Sequence, residues 1–371
     1  MPLISIAELR KLTVDIFVAC GAPLDEAGVV ADHLVGSNLS GVDSHGVIRI
    51  PQYVQEVRDG AARPGAKSVI SHETPVSALV DCGWNLGVVG AEKAAEIALA
   101  KASQHKIAIV ATRNCNHAGR LGHYLEKISA QGFLGLGFCS SPRHGHFVVP
   151  WGGRDGRLST NPLSYGIPVE GRAPIISDFS TSQTPEGKIR LYKNRSQALP
   201  EGWILDAAGQ PSTSPSDFYG PPQGGILPFG GRLGYRGYAL GLLVEIMGTI
   251  LAGYDSTEDR PGNGVTFILF HPTLLVSSES YQSNLNKLAD YIHSSRPASG
   301  VVEVLLPGQL EQQKRAKRAT EGIDVDATTW ATIVKVANSL NVPVDLHKKK
   351  KKEKIRQNPA APDEKDTNID I

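Results

Sequence analysis

The chain has 371 residues, of which 41% are hydrophobic and 20% charged, and its formal net charge is +1. That is enough apolar material for a sizeable core and too much length for one ordinary core, so two or more lobes are expected. Eight Lys/Arg and five Asp/Glu fall in residues 348–371, leaving the body at −2, which argues against any general pull toward nucleic acid or a membrane surface.

Four cysteines, Cys20, Cys82, Cys115 and Cys139, form no C-x-x-C pair and read as reduced thiols of a cytoplasmic chain. Glu8, Arg10 and Lys11 interrupt any apolar leader, so no targeting segment is expected. The longest apolar stretch, 238–253, holds Glu245 and several glycines and suits a buried helix better than a membrane span.

In chain order, Ser5-x-x-Glu8 is a capping box that opens a helix running to about Gly21. Pro23-Leu24-Asp25-Glu26 opens a second helix, ending near Ser40-Gly41. A third follows His45-Gly46 and ends at Gly60. Next come a strand at 78–80, a helix at 87–104, a strand at 107–112, a helix at 120–130 and a strand at 133–139. That β-α-β-α-β order favours a sheet that is parallel at least in part. Further strands are expected at 163–167 and 174–178, with a hairpin arm at 203–206. A buried helix is expected at 238–252, strands at 265–270 and 301–306, and helices at 280–294, 309–321 and 327–340. From His347 the chain is charged and Pro-containing, and reads as a disordered tail. Its Lys348–Lys352 run suits a nuclear import signal or a weak polyanion contact as well as a merely solvated segment.

The pattern suggests an α/β enzyme, yet no G-x-G-x-x-G follows a strand and no G-x-x-x-x-G-K-[ST] occurs. Chemistry must be sought elsewhere. In Asp43-Ser44-His45-Gly46-Val-Ile-Arg49-Ile-Pro51-Gln-Tyr53, helical spacing puts His45, Arg49 and Tyr53 on one face. A helix N-terminus favours a neutral histidine. Arginine suits a carboxylate, and histidine suits the proton on the neighbouring oxygen. Taken alone, the segment fits a capped helix start as well as an active site. Asn114-Cys-Asn116-His117-Ala-Gly119-Arg120-Leu121, at a strand-to-helix turn, offers backbone N–H groups to an anion. Asp178-Phe179-Ser180-Thr181 suits either a turn or a ligand loop. His144-x-His146 lacks a third ligand at diagnostic spacing, so a solvated loop is expected there and no metal site.

These segments, in their order, resemble the type-2 malate/L-lactate dehydrogenase family, which also includes sulfolactate and ureidoglycolate dehydrogenases, diketogulonate reductase and piperideine-carboxylate reductase. The likeness rests on D-S-H-G-x-x-R, N-H-x-G, V-P-x-G-G…T-N-P, the Asp178 segment with Gly187-Lys188, the Tyr235–Leu240 helix start and Pro307-Gly308, and it spans residues 5–340. It implies an α/β, non-Rossmann dinucleotide-binding fold, a mixed sheet with flanking helices. The expected divisions are a helical segment at 1–75, a cofactor-binding region at 76–270, a C-terminal segment at 271–342 that packs back on the first, and the tail at 343–371. The implied reaction is hydride transfer between NAD or NADP and a small 2-hydroxy or 2-oxo acid, in a homodimer. His45 is implied as the proton donor and acceptor, oriented by Ser44 and Asp178, with His117 competing for the role. Arg49 would hold the substrate carboxylate, with Thr160 and Asn161 on the substrate side. The cofactor would be lined by His117, Gly119, Arg120, Leu121, Ser141, Asp178, Phe179, Ser180 and Thr181. Pro307, Gly308 and Gln309 would close over it, and Arg236, where many relatives carry Lys, would reach its phosphate. Alternatives are reduction of a cyclic imine within the same family, or a hydrolase using Ser44, His45 and Asp178.

Overall fold

A computed structural model describes residues 3–344 of the chain. The elements run β1 (Leu3–Ile4), α1 (Ile6–Ala19), α2 (Leu24–Leu39), α3 (Ile50–Arg58), β2 (Val69–Thr74), β3 (Ser77–Asp81), α4 (Gly87–His105), β4 (Ile107–Arg113), α5 (Leu121–Ala130) and β5 (Leu134–Ser140). They continue with β6 (Pro162–Ile167), β7 (Ile175–Ser180), α6 (Glu186–Asn194), β8 (Ile204–Leu205), β9 (Pro211–Ser212), α7 (Pro215–Tyr219), β10 (Gly225–Ile226), α8 (Gly234–Glu245), β11 (Gly264–Phe270), α9 (Ser278–His293), α10 (Gln309–Glu321), β12 (Ile323–Asp324) and α11 (Ala327–Ser339).

The capping box closes as its residues dictate. Ser5 Oγ accepts Glu8 N–H, and Glu8 Oε2 accepts Ser5 N–H, both at 3.2 Å. Leu9, Ile16 and Phe17 of α1 and Val30 and Leu34 of α2 then bury one apolar stripe, which Ile333 and Ala337 of α11 complete. The two ends of the described chain thus share a core.

The main sheet has the order β2-β3-β4-β11-β5-β6-β7. Only β3 and β4, joined through α4, pair in parallel. The expectation of a sheet parallel at least in part is met by β3 and β4; β4 and β5 are not neighbours. β11 inserts between them, antiparallel to both. Small residues of α4 (Ala91, Ala94, Ala98, Ala102) let it lie close on the sheet, and Tyr124 and Leu125 of α5 fill the space beside it. A satellite core around Trp203, Ile204, Phe218 and Ile226 holds α6 through Ile189.

Two expectations are corrected. Residues 301–306 form no strand; they are irregular and lie along the main cleft. The helix expected at 238–252 starts earlier, at Gly234, and widens into a π turn at Ile246–Ile250. No helix among the described residues is long and apolar enough to cross a membrane. The expectations for the Lys348–Lys352 tail fall outside the described residues.

Candidate active site

The Asp43–Gly46 segment is shaped by Asn38, near the end of α2. Asn38 Oδ1 accepts Val47 N–H at 2.8 Å, and its Nδ2 donates to Asp43 Oδ1 at 2.6 Å. A Cβ on Gly46 would stand 2.3 Å from Asn38 Oδ1, so the chain passes here only as glycine. Asp43 is further gripped by both guanidinium Nη atoms of Arg318, at 2.7 and 3.0 Å, which ties α10 to the loop. With Gly46 extended, Asp43–His45 and Val47–Arg49 become separate 3-10 turns. The expectation that His45, Arg49 and Tyr53 share one α-helical face is therefore wrong: α3 begins only at Ile50.

The partner segment follows β4. Asn116 Nδ2 donates to the carbonyls of Ala61, Trp84 and Asn85. Ala118 N–H reaches Asn263 Oδ1, and Arg120 N–H reaches Nε2 of the fully buried His33 at 2.9 Å. Gly119 sits at φ +71°, with His33 Nε2 only 2.2 Å from where a Cβ would be. The turn is thus pinned on both sides of His117.

These segments put two imidazoles face to face. The rings of His45 and His117 are 5.6 Å apart and within 15° of parallel. Ser44 Oγ lies 3.1 Å from His45 Nδ1, and Tyr53 Oη 2.7 Å from His117 Nδ1. Each ring is therefore fixed through Nδ1, which leaves its Nε2 for a ligand. Burial and the nearby Arg49 and Arg120 charges pull the His45 pKa down to about 3. Burial, then Arg49 and His45, hold His117 well below its usual range. Both are neutral at pH 7, and the second proton on the pair is strongly disfavoured. Arg49 Nε donates to Ser44 O at 2.7 Å and Nη1 to Gln52 at 2.8 Å. Its Nη2 lies 3.7 Å from a Cβ position on Gly187, at the start of α6.

Ser44, His45, Arg49, His117 and Gly187 line one cleft of roughly 1510 Å3, together with Gly119, Arg120, Leu121, Ser141, Thr160, Asp178, Phe179, Ser180, Pro307 and Gly308. Residues far apart in sequence thus meet along one groove. Set beside known proteins, the chain matches the malate/L-lactate dehydrogenase model over residues 4–334. An L-lactate dehydrogenase from Cupriavidus necator is 33% identical over 348 residues, covering 92% of this chain and 99% of that one. The chain belongs to the malate/L-lactate dehydrogenase family. An L-sulfolactate dehydrogenase from Methanocaldococcus jannaschii is 32% identical, covering 91% of this chain and 96% of that one. The solved sulfolactate dehydrogenase from that organism has a TM-score of 0.82 at 30% identity, covering 92% and 98% of the two chains. A Δ1-piperideine-2-carboxylate reductase from Pseudomonas syringae has a TM-score of 0.80 at 26% identity, covering 91% and 100%. The fold is the expected mixed sheet with flanking helices, and the family is one of oxidoreductases acting on hydroxy acids.

Within this family member, several expected site residues sit elsewhere than the cleft. Asn161 is fully buried at φ +43°; its side chain bonds Ser140, Glu245 and the Gly241 carbonyl, so it braces the sheet against α8. Thr181 is also buried, bonded to Asn161 O. Gln309 closes its own turn by accepting Leu306 N–H at 2.6 Å. Arg236 is exposed, its Nε on Tyr235 Oη at 3.1 Å, and does not line the cleft. Asp178 does not orient His45: its Oδ2 accepts Gly122 N–H at 2.7 Å and stands 3.9 Å from Arg120 Nε. Burial pushes its carboxyl up, against the pull of Arg120 and Gly122.

The 142–146 loop is also not simply solvated. His144 is exposed, but the side chain of His146 is buried, 3.6 Å from Glu245 Oε1. No metal-holding cluster occurs among the described residues. Sequence reasoning missed Asn38, His33 and Arg318, because nothing local marks a residue whose role is to brace another segment.

Proposed function

We propose that this chain transfers hydride between NADH or NADPH and C2 of a small 2-oxo acid, and runs the reverse reaction on the 2-hydroxy acid. The observation that carries the reading is the stacked, neutral His45–His117 pair beside Arg49 in one cleft. Arg49 Nη2 offers a charge-assisted bond to the substrate carboxylate. The C2 oxygen then faces an imidazole Nε2. The carboxylate offsets the Arg49 charge, one of the causes that hold both histidines low. The substrate thus raises the proton affinity of the group that must hand its C2 oxygen a proton.

The groove suits a dinucleotide. It exceeds the roughly 300–1,000 Å3 of an ordinary small-ligand pocket. Gly308, at φ +90°, packs so closely on Ile176 that a Cβ would meet its backbone at 3.0 Å. Buried Arg120 keeps an Nε with no hydrogen-bond partner among the described residues, 3.9 Å from Asp178 Oδ2. Gly119–Leu121, Ser141, Asp178–Ser180 and Pro307-Gly308 are the residues that would hold the cofactor. When bound, the nicotinamide supplies or accepts the hydride; the protein orients it and manages one proton.

The likeness to the piperideine-carboxylate reductase supports a second reading, in which the acceptor is the C=N of a cyclic 2-imino acid. The same Arg49 and histidines would serve it. The hydrolase alternative is dropped, since Asp178 is bound to Gly122 and not to His45. Exposed Leu242 and Leu243 of α8, Ile250 of the π turn and Leu251 just after it support a homodimer. The test is to mix the protein with NADH or NADPH and a panel of 2-oxo acids and cyclic imines, following reduced-nicotinamide absorbance. Turnover of at least one acceptor is expected; no turnover and no cofactor binding would end the proposal.

A further inference from the structure

Beside Arg49 the cleft is walled by the first turn of α6, where Pro185, Glu186 and Gly187 share its lining with Ser44 and Thr160. Gly187 brings this turn close: its Cβ position lies 3.7 Å from both Arg49 Nη2 and Ser44 Cβ. What the turn contributes is a carboxylate. Glu186 is held fast by Arg190, whose Nη2 donates to Oε1 and Oε2 at 2.9 Å each and whose Nε donates to Oε1 at 3.1 Å. Tyr219 Oη adds a further bond to Oε1 at 2.8 Å. Both charges act on Arg49, Arg190 opposing its protonated form and Glu186 favouring it.

A 2-oxo acid whose C1 carboxylate sits on Arg49 must send its C3 substituent along these walls. A second anionic group there would meet Glu186. The arginines that could offset it are already engaged: Arg190 by Glu186, and Arg120 and Arg315 by Glu126. Arg296 lines the same cleft on the segment that leads to Pro307, whose carbonyl accepts Ile176 N–H at the start of β7, and Glu186 follows the far end of that strand. Like charge brought together in a half-buried site is a strong discriminator.

We infer that Glu186, clamped by Arg190 and Tyr219, makes this a monocarboxylate site that takes 2-oxo or 2-hydroxy acids with an uncharged C3 substituent and rejects dicarboxylic and sulfonated ones. This rests on the hydride-transfer reading above and names its substrate class.

The two partners give variants of opposite sign. Glu186→Gln removes the repelling charge and frees Arg190, whereas Arg190→Gln leaves Glu186 unneutralised. The measurement is kcat/KM for pyruvate, oxaloacetate and 3-sulfopyruvate, with whichever reduced nicotinamide the protein uses, in all three proteins. Pyruvate should lead oxaloacetate and sulfopyruvate by about tenfold or more in the unaltered protein. Glu186→Gln should raise the oxaloacetate-to-pyruvate ratio about tenfold, and Arg190→Gln should lower it. General damage to α6 would move both ratios the same way, and that result overturns the inference, as does an unaltered protein that prefers oxaloacetate or sulfopyruvate. Turnover of no 2-oxo acid or imine at all would instead remove the hydride-transfer reading beneath it.

Discussion

Tyr53 Oη lies 2.7 Å from His117 Nδ1, which joins α3 to the turn after β4. Tyr53 is itself buried, and burial pushes its phenol pKa up, so the hydroxyl stays protonated. The bond therefore fixes the ring of His117 in the cleft without adding charge. Tyr53→Phe should keep the packing of the ring and lose the bond. Expected is a fall in kcat of about tenfold to a hundredfold, with KM moving less, since a positioned proton carrier contributes about 10²–10⁴. Steady-state kinetics against a panel of 2-oxo acids checks this; an unchanged kcat would place His117 outside the chemistry.

Arg49 carries two tasks, holding Ser44 O through Nε and facing the cleft with Nη2. Lysine can do neither in the same geometry. Arg49→Lys should lower kcat/KM about 10²–10³-fold, from a loss of roughly 3–4 kcal/mol of charge-assisted bonding. Retained circular dichroism alongside that loss would separate substrate binding from misfolding.

Arg49 also sets up a proton linkage. If its charge helps to hold His45 and His117 low, an unreactive carboxylate such as oxamate should bring protons with it. Calorimetric titration in buffers of different ionisation enthalpy, near pH 6 and with cofactor bound, should show fractional uptake of up to one proton. In Arg49→Gln the uptake should vanish. Binding without uptake in the unaltered protein would contradict the linkage.

Stability should fall as the solution is acidified. His33, His45, His117 and His123 all have folded pKa values below the ordinary one, chiefly through burial. The unfolded chain therefore binds more protons than the folded chain below about pH 6.5, so folding stability drops as pH falls through that window. Each such group contributes a slope of up to about 1.4 kcal/mol per pH unit. Asp178 and Glu56, pushed up by burial, act in the opposite sense and flatten the slope. Urea midpoints between roughly pH 4.5 and 6.5 should decline, and His33→Gln should decline less steeply. A flat profile would refute the burial of neutral histidines.

Gly119 combines a left-handed φ with a Cβ position 2.2 Å from His33 Nε2. Gly119→Ala should lose about 1–3 kcal/mol from backbone strain alone, and the displaced turn should take His117 with it. A denaturant midpoint unchanged from the parent would show that the turn is not pinned as described.

Much of the fold was legible because local rules and tertiary structure agree. Ser5 and Glu8 announced α1, and the limits of α10 matched its expected span. The insertion of β11 between β4 and β5 was not legible, since strand order is decided by long-range pairing that no local pattern encodes. Residues 301–306 are apolar enough to suggest a strand, but they lie along the cleft instead of joining a sheet. At the site, the chemical residue types His45, Arg49 and His117 stood out in sequence. Asn161 and Thr181 looked like ligand contacts because polar residues that brace a buried backbone have the same composition as those that touch a substrate.

The most direct test of the central claim follows the hydride itself. The protein is supplied with reduced nicotinamide deuterated at C4, on the face that transfers, and with the 2-oxo acid it turns over fastest. Mass spectrometry of the product should find one deuterium, at C2 of the 2-hydroxy acid. A product made without deuterium at C2, on either face of the labelled cofactor, or no product from any 2-oxo acid, would contradict the account.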